Sequence, residues 1–412
     1  VTGLSNFSTA TGAVEKLTLE SRPTGVPEGT AGADLLAVDL DRLRALADSA
    51  WATPERVQHV LGRLGSGGGR GGRGGRLALD DFAVLLSDAA GSRLEDMAAA
   101  ANRLTVQRFG RTIHLFAPLY LSNECVSTCT YCGFSAEHQI ARRTLSVDEV
   151  VAEGRALAER GFRHVLLVSG EHARIVSKDY LVACVEALAP LFPSISVEVQ
   201  VWDTDTYRRL VAAGCDGLVV YQETYARSAY EAVHLKGKKR NYDWRLGAPD
   251  RGAQAGMRRL GVGALLGLHD DWRFEALAVA AHAGALMRRH WRSEVTVSLP
   301  RMRPAAGVSV PVAPGGDVDD RSFVQLVCAM RLFLPDVGLV LSTREAPELR
   351  DALVRLGVTH MSAGSHTEPG GYAAPSDAEP QFSIADTRSP AELAAVLRAA
   401  GYDPVWKDWQ RT

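Results

Sequence analysis

Three cysteines stand close together in Asn123-Glu-Cys-Val-Ser-Thr-Cys-Thr-Tyr-Cys-Gly-Phe134, at the spacing C-x3-C-x2-C. Soft thiolates suit iron–sulfur clusters. Cys125, Cys129 and Cys132 can cap three corners of a 4Fe–4S cube and leave the fourth iron without a protein ligand. An open iron can hold a small molecule, so the spacing points to chemistry as well as electron storage. Two other readings of these thiols are weaker. A zinc site completed by His138 lacks the second cysteine knuckle that such sites usually pair with the first. A Cys129-x-x-Cys132 redox dithiol belongs at a helix N-terminus in a much smaller fold. Cys184, Cys215 and Cys328 lie in or beside apolar helical patterns and read as packing residues. With three of the six cysteines clustered, a disulfide framework is disfavoured and a reducing cytoplasm is expected.

A cluster loop needs a scaffold, and a regular alternation begins near residue 110. Candidate strands are Ile113–Leu121, His164–Val168, Ile195–Gln200, Gly217–Tyr221, Val262–Leu266, Glu294–Leu299, Gly338–Leu341 and Val358–Met361. They are short and mostly rich in Val, Ile or Leu, as buried parallel strands are. Helical patterns lie between them. Ser146-Val-Asp-Glu149 is a capping box with Gly161 at the far end, and Ser389-Pro-Ala-Glu392 is another, with Gly401 closing it. Gly214, Gly261 and Gly357 read as boundaries between a helix and the next strand. The expectation is a (β/α)8 TIM-type barrel over 106–412, with an open sheet of fewer strands as the alternative.

Residues 1–105 read as an N-terminal helical extension, with helical spacing in Val38–Ser49 and Leu77–Ser87. The Gly/Arg-rich run 62–76 reads as a disordered loop, since such glycine density cannot offset its ordering entropy. An RNA-binding tract would interleave aromatics, and this one has none. Val1 is consistent with a valine-type start codon read literally. Lys plus Arg total 46 against 48 Asp plus Glu, which makes no electrostatic case for nucleic acid or an anionic membrane. The first thirty residues do not read as a signal peptide. The most apolar segment, Glu275–Met287, carries His282 and falls short of the roughly 20 residues of a membrane span.

A barrel of this kind gathers its active-site groups at the C-terminal ends of its strands. All eight candidate strands end in polar residues there: Tyr120 to Cys125, Ser169 to Glu171, Glu198 to Gln200, Gln222 to Tyr225, His269 to Asp271, Arg301 to Arg303, Ser342 to Glu345, and Ser362 to Ser365. Tyr131 is a flat ring beside the last thiol, able to lie against an adenine or simply to pack. Glu171 follows a glycine and could bind an ammonium group or form an ion pair. Arg344, Arg301 and Arg303 compete for a carboxylate-binding role. His234 could take a phenolic proton or be an ordinary loop histidine. The Lys236–Arg240 run reads as solvated surface, or as a contact for an acidic electron donor.

Phe116 to Cys125, Cys129 to Ser135, Tyr221 to Tyr225, Val233 to Lys239, Leu341 to Glu345, Met361 to Ser365 and the tail Pro404 to Trp409 resemble the radical S-adenosylmethionine (SAM) tyrosine lyase family of thiamine biosynthesis, the 2-iminoacetate synthases. The resemblance runs from about residue 80 to the C-terminus, and the Gly/Arg-rich run departs from it. It implies a (β/α)8 barrel of the radical SAM superfamily, a 4Fe–4S cluster on Cys125, Cys129 and Cys132, and SAM chelating the open iron. It implies that a 5′-deoxyadenosyl radical takes a hydrogen from the amino group of L-tyrosine. The Cα–Cβ bond then breaks to give p-cresol and 2-iminoacetate for the thiazole synthase. A low-potential flavodoxin or ferredoxin is the implied electron donor.

By motif, Tyr131, Ser169, Glu171 and Glu198 fall to the SAM pocket, and Arg344, Ser362 and Tyr120 to the substrate carboxylate. The hydrogenase-maturation tyrosine lyase carries further C-terminal cluster cysteines, and none follows Cys328 here. A radical SAM tryptophan lyase shares the anchoring scheme but is disfavoured by the Lys236–Lys239 loop and the Trp-rich tail. A non-catalytic iron–sulfur sensor would not need polar groups at every strand end. Replacing Cys129 by Ala is expected to abolish the visible absorbance of the reconstituted cluster; retained absorbance would remove Cys129 from the ligand set.

Overall fold

Strands covered on both faces carry little but apolar side chains, which is why they read as short Val, Ile and Leu runs. The computed structural model describes residues 39–65, 76–308, 313 and 316–406. Eight strands form the expected parallel barrel: β1 (Thr112–Ser122), β2 (His164–Ser169), β3 (Ser194–Glu198), β4 (Gly217–Glu223), β5 (Arg259–Ala264), β6 (Glu294–Ser298), β7 (Gly338–Leu341) and β8 (His360–Ser362). Neighbours pair in chain order, and β8 closes the ring on β1 through His114↔His360, Leu115↔Met361 and Phe116↔Ser362. β1 is long because its first half serves β8 while Ala117 to Ser122 serves β2. A ninth strand, β9 (Asp403–Val405), adds to the start of β1 through Thr112↔Asp403.

The strand ranges follow the sequence reading with one instructive difference. β5 begins at Arg259, not at Val262. Gly261 is not a boundary: it lies within β5, where a Cβ would meet Val219 Cγ2 at 2.9 Å. The preceding helix, Ala248–Ala255, is closed instead by Gly256 in the left-handed region at φ 104°. The capping boxes form as read. Ser146 Oγ accepts from the Glu149 amide at 3.3 Å while Glu149 accepts from the Ser146 amide at 2.7 Å, and Ser389 and Glu392 repeat the exchange.

Helices Leu40–Ala47, Pro54–Gly65, Leu79–Leu86, Asp88–Gly91 and Leu94–Phe109 precede β1. Gly62 to Gly65 therefore finish a helix and do not open a loop; 66–75 of the Gly/Arg-rich run lies outside the described residues, as do Val1 and 407–409 of the tail. The extension is fastened to the barrel's outer helices. Phe82 stacks on Phe333 at 4.8 Å, Gln325 Nε2 donates to the Leu85 and Ser87 carbonyls at 2.9 and 2.8 Å, and Arg273 Nε donates to the Leu86 carbonyl at 2.9 Å. Among the described residues, no helix is long and apolar enough to cross a membrane.

The segment after β8 is tied down by a buried ion pair. Arg350, 1% exposed, binds Asp386, which is fully buried, and also donates to the Ser362 carbonyl at the end of β8. Removing one partner of such a pair strands the other charge in a dry site. Asp386→Ala is expected to lower unfolding stability by about 3–5 kcal/mol, read from the shift in denaturant midpoint; a loss below about 1 kcal/mol would show that Arg350 finds other compensation.

Candidate active site

The three thiols lie on one irregular loop at the C-terminal end of β1. Irregular backbone must still place its carbonyls, and Arg142 takes four of them: its guanidinium donates to Asn123 (2.5 Å), Phe134 (2.9 Å), Ser135 (2.7 Å) and His138 (3.3 Å). Asn123 closes the loop from the other side, donating to the Ala141 carbonyl at 2.8 Å and accepting from the Arg143 amide at 2.7 Å. The turn after β2 docks on the loop, with the Gly170 amide donating to Ser122 at 3.0 Å and the Val126 amide donating to Glu171 at 2.9 Å. Only glycine fits at 170, since a Cβ would come within 2.3 Å of the Glu124 carbonyl. A short ribbon pairs Thr128–Cys129 with His234–Lys236. The three cysteines are free thiols, and burial raises the pKa of Cys125 and Cys129.

Beside the loop a cavity opens at the top of the barrel. Cys132, Tyr131, Tyr120, Glu198, Arg344 and Ser362 all line it. The structure sorts the three competing arginines. Arg301 is held by Glu345, Asp320 and the Val318 carbonyl, and Arg303 binds Glu345 at 2.8 Å. The Arg344 guanidinium has no hydrogen-bond or ion-pair partner among the described residues; it packs flat on Phe382 at 3.4 Å, and burial lowers its pKa. Ser362 Oγ accepts from the Thr343 amide at 3.2 Å and keeps its proton to donate. Tyr120 donates to Gln381 Oε1 at 2.8 Å, and Gln381 Nε2 reaches Cys132 Sγ at 3.6 Å. The Glu198 carboxylate is likewise without a hydrogen-bond partner among the described residues, and burial, with Glu223 nearby, pushes it up to about 7. The Ser169 and Ser365 hydroxyls are buried and have no hydrogen-bond partner among the described residues.

Other expected site residues fall outside the cavity lining. Glu171 is engaged on both oxygens, by Arg245 Nη1 at 3.0 Å and by Ser127 Oγ at 3.2 Å. His234 is fully buried behind Tyr131. Its Nδ1 donates to the Tyr230 carbonyl at 2.8 Å, which fixes the tautomer and leaves Nε2 to accept from the Tyr131 hydroxyl at 2.8 Å. The polar end of β5 does not reach the cavity either: Asp271 caps the helix Trp272–Arg289, accepting from the Arg273 and Phe274 amides. Conversely, Lys239 is not part of a solvated run. It turns in to line the cavity, binds Glu223 at 2.7 Å and sits 5.6 Å from the Tyr131 ring centre. Arg245 also faces Glu223, at 3.6 Å. Glu223 holds a left-handed backbone at φ 71°, a strained conformation for its type. Arg142, Arg245 and Gln381 carry no sequence signal of these roles, because each sits in a stretch without periodicity.

Residues 119–279 match the family model of the Radical SAM superfamily, and residues 298–403 that of the Biotin and Thiamin Synthesis associated domain. Barrel, cysteine loop and cavity thus make this chain a radical SAM enzyme. It is 46% identical over 334 residues to the 2-iminoacetate synthase of Escherichia coli (strain K12), a match covering 81% of this chain and 88% of that protein. The Salmonella typhimurium 2-iminoacetate synthase is 45% identical over the same shares. The chain belongs to the 2-iminoacetate synthase family. The solved FeFe-hydrogenase maturase HydG from Carboxydothermus hydrogenoformans superposes with a TM-score of 0.81 at 33% identity, covering 91% of this chain and 85% of that one. Methylornithine synthase (PylB) shares the fold, with a TM-score of 0.66 at 19% identity over 85% of this chain and 97% of that one.

Burial and the Lys239 charge depress the His234 pKa to about 3, from an ordinary value of 6.5. Between these values the unfolded chain takes up a proton that the folded one refuses, so this imidazole makes stability fall as pH drops through that window. Above about pH 6.5 its contribution is complete. His234→Gln is expected to flatten the acid limb of a stability–pH curve by about one proton, or about 1.4 kcal/mol per pH unit; an unchanged slope would mean that His234 is protonated in the folded state.

Proposed function

We propose that this chain cleaves the Cα–Cβ bond of L-tyrosine to 2-iminoacetate (dehydroglycine) and p-cresol, with 5′-deoxyadenosine and methionine as the products of SAM. The observation that carries the reading is Arg344, a buried cation facing the cavity whose guanidinium makes no ion pair or hydrogen bond among the described residues, although the field of Glu223 and Glu198 reaches it. Such a group favours a ligand carboxylate, bound bidentately. Ser362 donates a second hydrogen bond to that carboxylate, and Tyr120, fixed by Gln381, walls the amino acid in against the cysteine loop.

Cys125, Cys129 and Cys132 would hold a 4Fe–4S cluster with one iron open to SAM. The donor set fits: three free thiols on one ordered loop, mutually within electrostatic reach, with Cys132 on the cavity wall. When bound, cluster and SAM supply the one-electron bond cleavage that starts the radical chemistry. The Tyr131 ring and the Glu198 carboxylate on the cavity wall are the groups left to SAM, with the Ser169 hydroxyl, which lies outside that wall and has no hydrogen-bond partner among the described residues, as a further candidate. Glu171 and His234 act at one remove. Glu171 holds Arg245 and Ser127, and neutral His234 holds the Tyr131 hydroxyl from outside the cavity wall, its Nε2 already engaged.

The Biotin and Thiamin Synthesis associated match is in keeping with a thiazole synthase as consumer of the 2-iminoacetate. The one-electron chemistry calls for a low-potential donor such as a flavodoxin or ferredoxin. The free state of all six cysteines suits a reducing cytoplasm. Anaerobic enzyme supplied with reductant, SAM and L-tyrosine is expected to release p-cresol; an indole product from tryptophan with tyrosine inert would overturn the assignment. Arg344→Ala is expected to lower kcat/KM for tyrosine by roughly 30-fold or more while leaving SAM affinity within about two-fold. The reverse pattern would move the anchor elsewhere.

A further inference from the structure

Four large apolar side chains stand exposed among the described residues: Val126, Ile175, Leu235 and Trp291. Three of them lie on segments that touch one another around the cysteine loop. Val126, 48% exposed, follows Cys125 directly, and its amide donates to Glu171 in the turn that carries Ile175. Leu235 lies in the ribbon that pairs Cys129 with His234 and Thr128 with Lys236. The next residue of that ribbon, Gly237, presses on Ser127 so tightly that a Cβ would meet its Oγ at 2.3 Å. The apolar patch therefore covers the outer side of the Cys125 and Cys129 segment.

Its rim is basic. Across 124–129, 170–177 and 234–240 the exposed charged side chains are Arg174, Lys236, Lys238 and Arg240; of the exposed acids just beyond these ranges, Asp179 and Asp243 are taken up by Arg209 and Arg227, which leaves Glu137 and Glu231. Arg174, Lys238 and Arg240 have no ion-pair partner among the described residues, while Lys236 stands 3.8 Å from Glu137. The chain as a whole carries a formal charge of −2, so this sign is local. The opposite wall of the same loop faces the cavity through Cys132. Substrate and electron thus have separate approaches, one from the barrel interior and one from solvent.

We infer that this face docks an acidic one-electron carrier protein. The inference rests on the activity proposed above, which requires an electron at the cluster. One electron passes from the reduced carrier to the cluster, oxidising the one and reducing the other, with no proton moved. A small apolar centre with a charged rim suits such transient redox encounters, which bury little surface and depend on electrostatic steering.

The test is the paired variant Lys238→Glu with Arg240→Glu, backed by Lys238→Gln with Arg240→Gln, in the reconstituted full chain. Formation of 5′-deoxyadenosine is driven either by dithionite or by a reduced flavodoxin, and oxidised flavodoxin is titrated directly for affinity. The expected result is an unchanged dithionite rate, a flavodoxin-driven rate and affinity lowered about ten-fold at low salt, and a difference that shrinks as salt screens the charges. Equal losses with both reductants, or no loss with either, would overturn the docking face. So would an unchanged flavodoxin rate accompanied by lost binding of a thiazole synthase, which would give the face to that partner. Failure of the unaltered chain to cleave SAM with dithionite would instead sink the activity reading, and this one with it.

Discussion

The site depends first on one guanidinium. A loop that presents three thiols at fixed separations cannot be helix or sheet, so its peptide groups need partners from outside the regular ladders. Arg142 meets that need from the chain leaving the loop, binding the Asn123 carbonyl ahead of the thiols and those of Phe134, Ser135 and His138 behind them. A planar cation with five donors can do this where lysine could not. The separation of Cys125 from Cys132 is thus set by a side chain that touches neither.

Around this clasp the charges are balanced group by group. Glu171 and Glu223 face Arg245 and Lys239, all four largely buried, so each ion has a partner in a medium where an unpaired one is costly. The pairing also holds Glu223 in its left-handed backbone, which costs about 1–3 kcal/mol by itself. Lys239 then lies against the Tyr131 ring, whose hydroxyl His234 keeps in place. Tyr131 is therefore positioned from two sides before any ligand arrives.

Much of the barrel was legible because burial on both faces leaves a compositional trace. The β7 range, Gly338–Leu341, is the range expected from the apolar run, and the Ser146 box marks its helix start to the residue. β5 was misread at its start because Gly261 looks like punctuation and is in fact clearance for Val219. The cysteine spacing and the strand-end polar groups located the site. What they could not convey is the direction in which a side chain turns. Lys239 stands among exposed Lys236, Lys238 and Arg240 and points the other way, toward Glu223. Arg301, Arg303 and Arg344 look alike in sequence, and only the position of Glu345 separates the two that are spoken for from the one that is not. His234 is defined by a carbonyl four residues back and a phenol about a hundred residues away, a pairing that no local pattern encodes.

The unpaired state of Arg344 also bears on the empty enzyme. A guanidinium desolvated among Tyr120, Tyr221 and Phe382, with Glu198 and Glu223 acting only at a distance, is an electrostatically unfinished part of the interior. On the proposed function, the anion that completes it would be the substrate's carboxylate, and amino acid binding would then contribute to folding as well as to recognition. An amine without a carboxylate would leave that deficit in place, so the same charge would select the amino acid before any bond is broken.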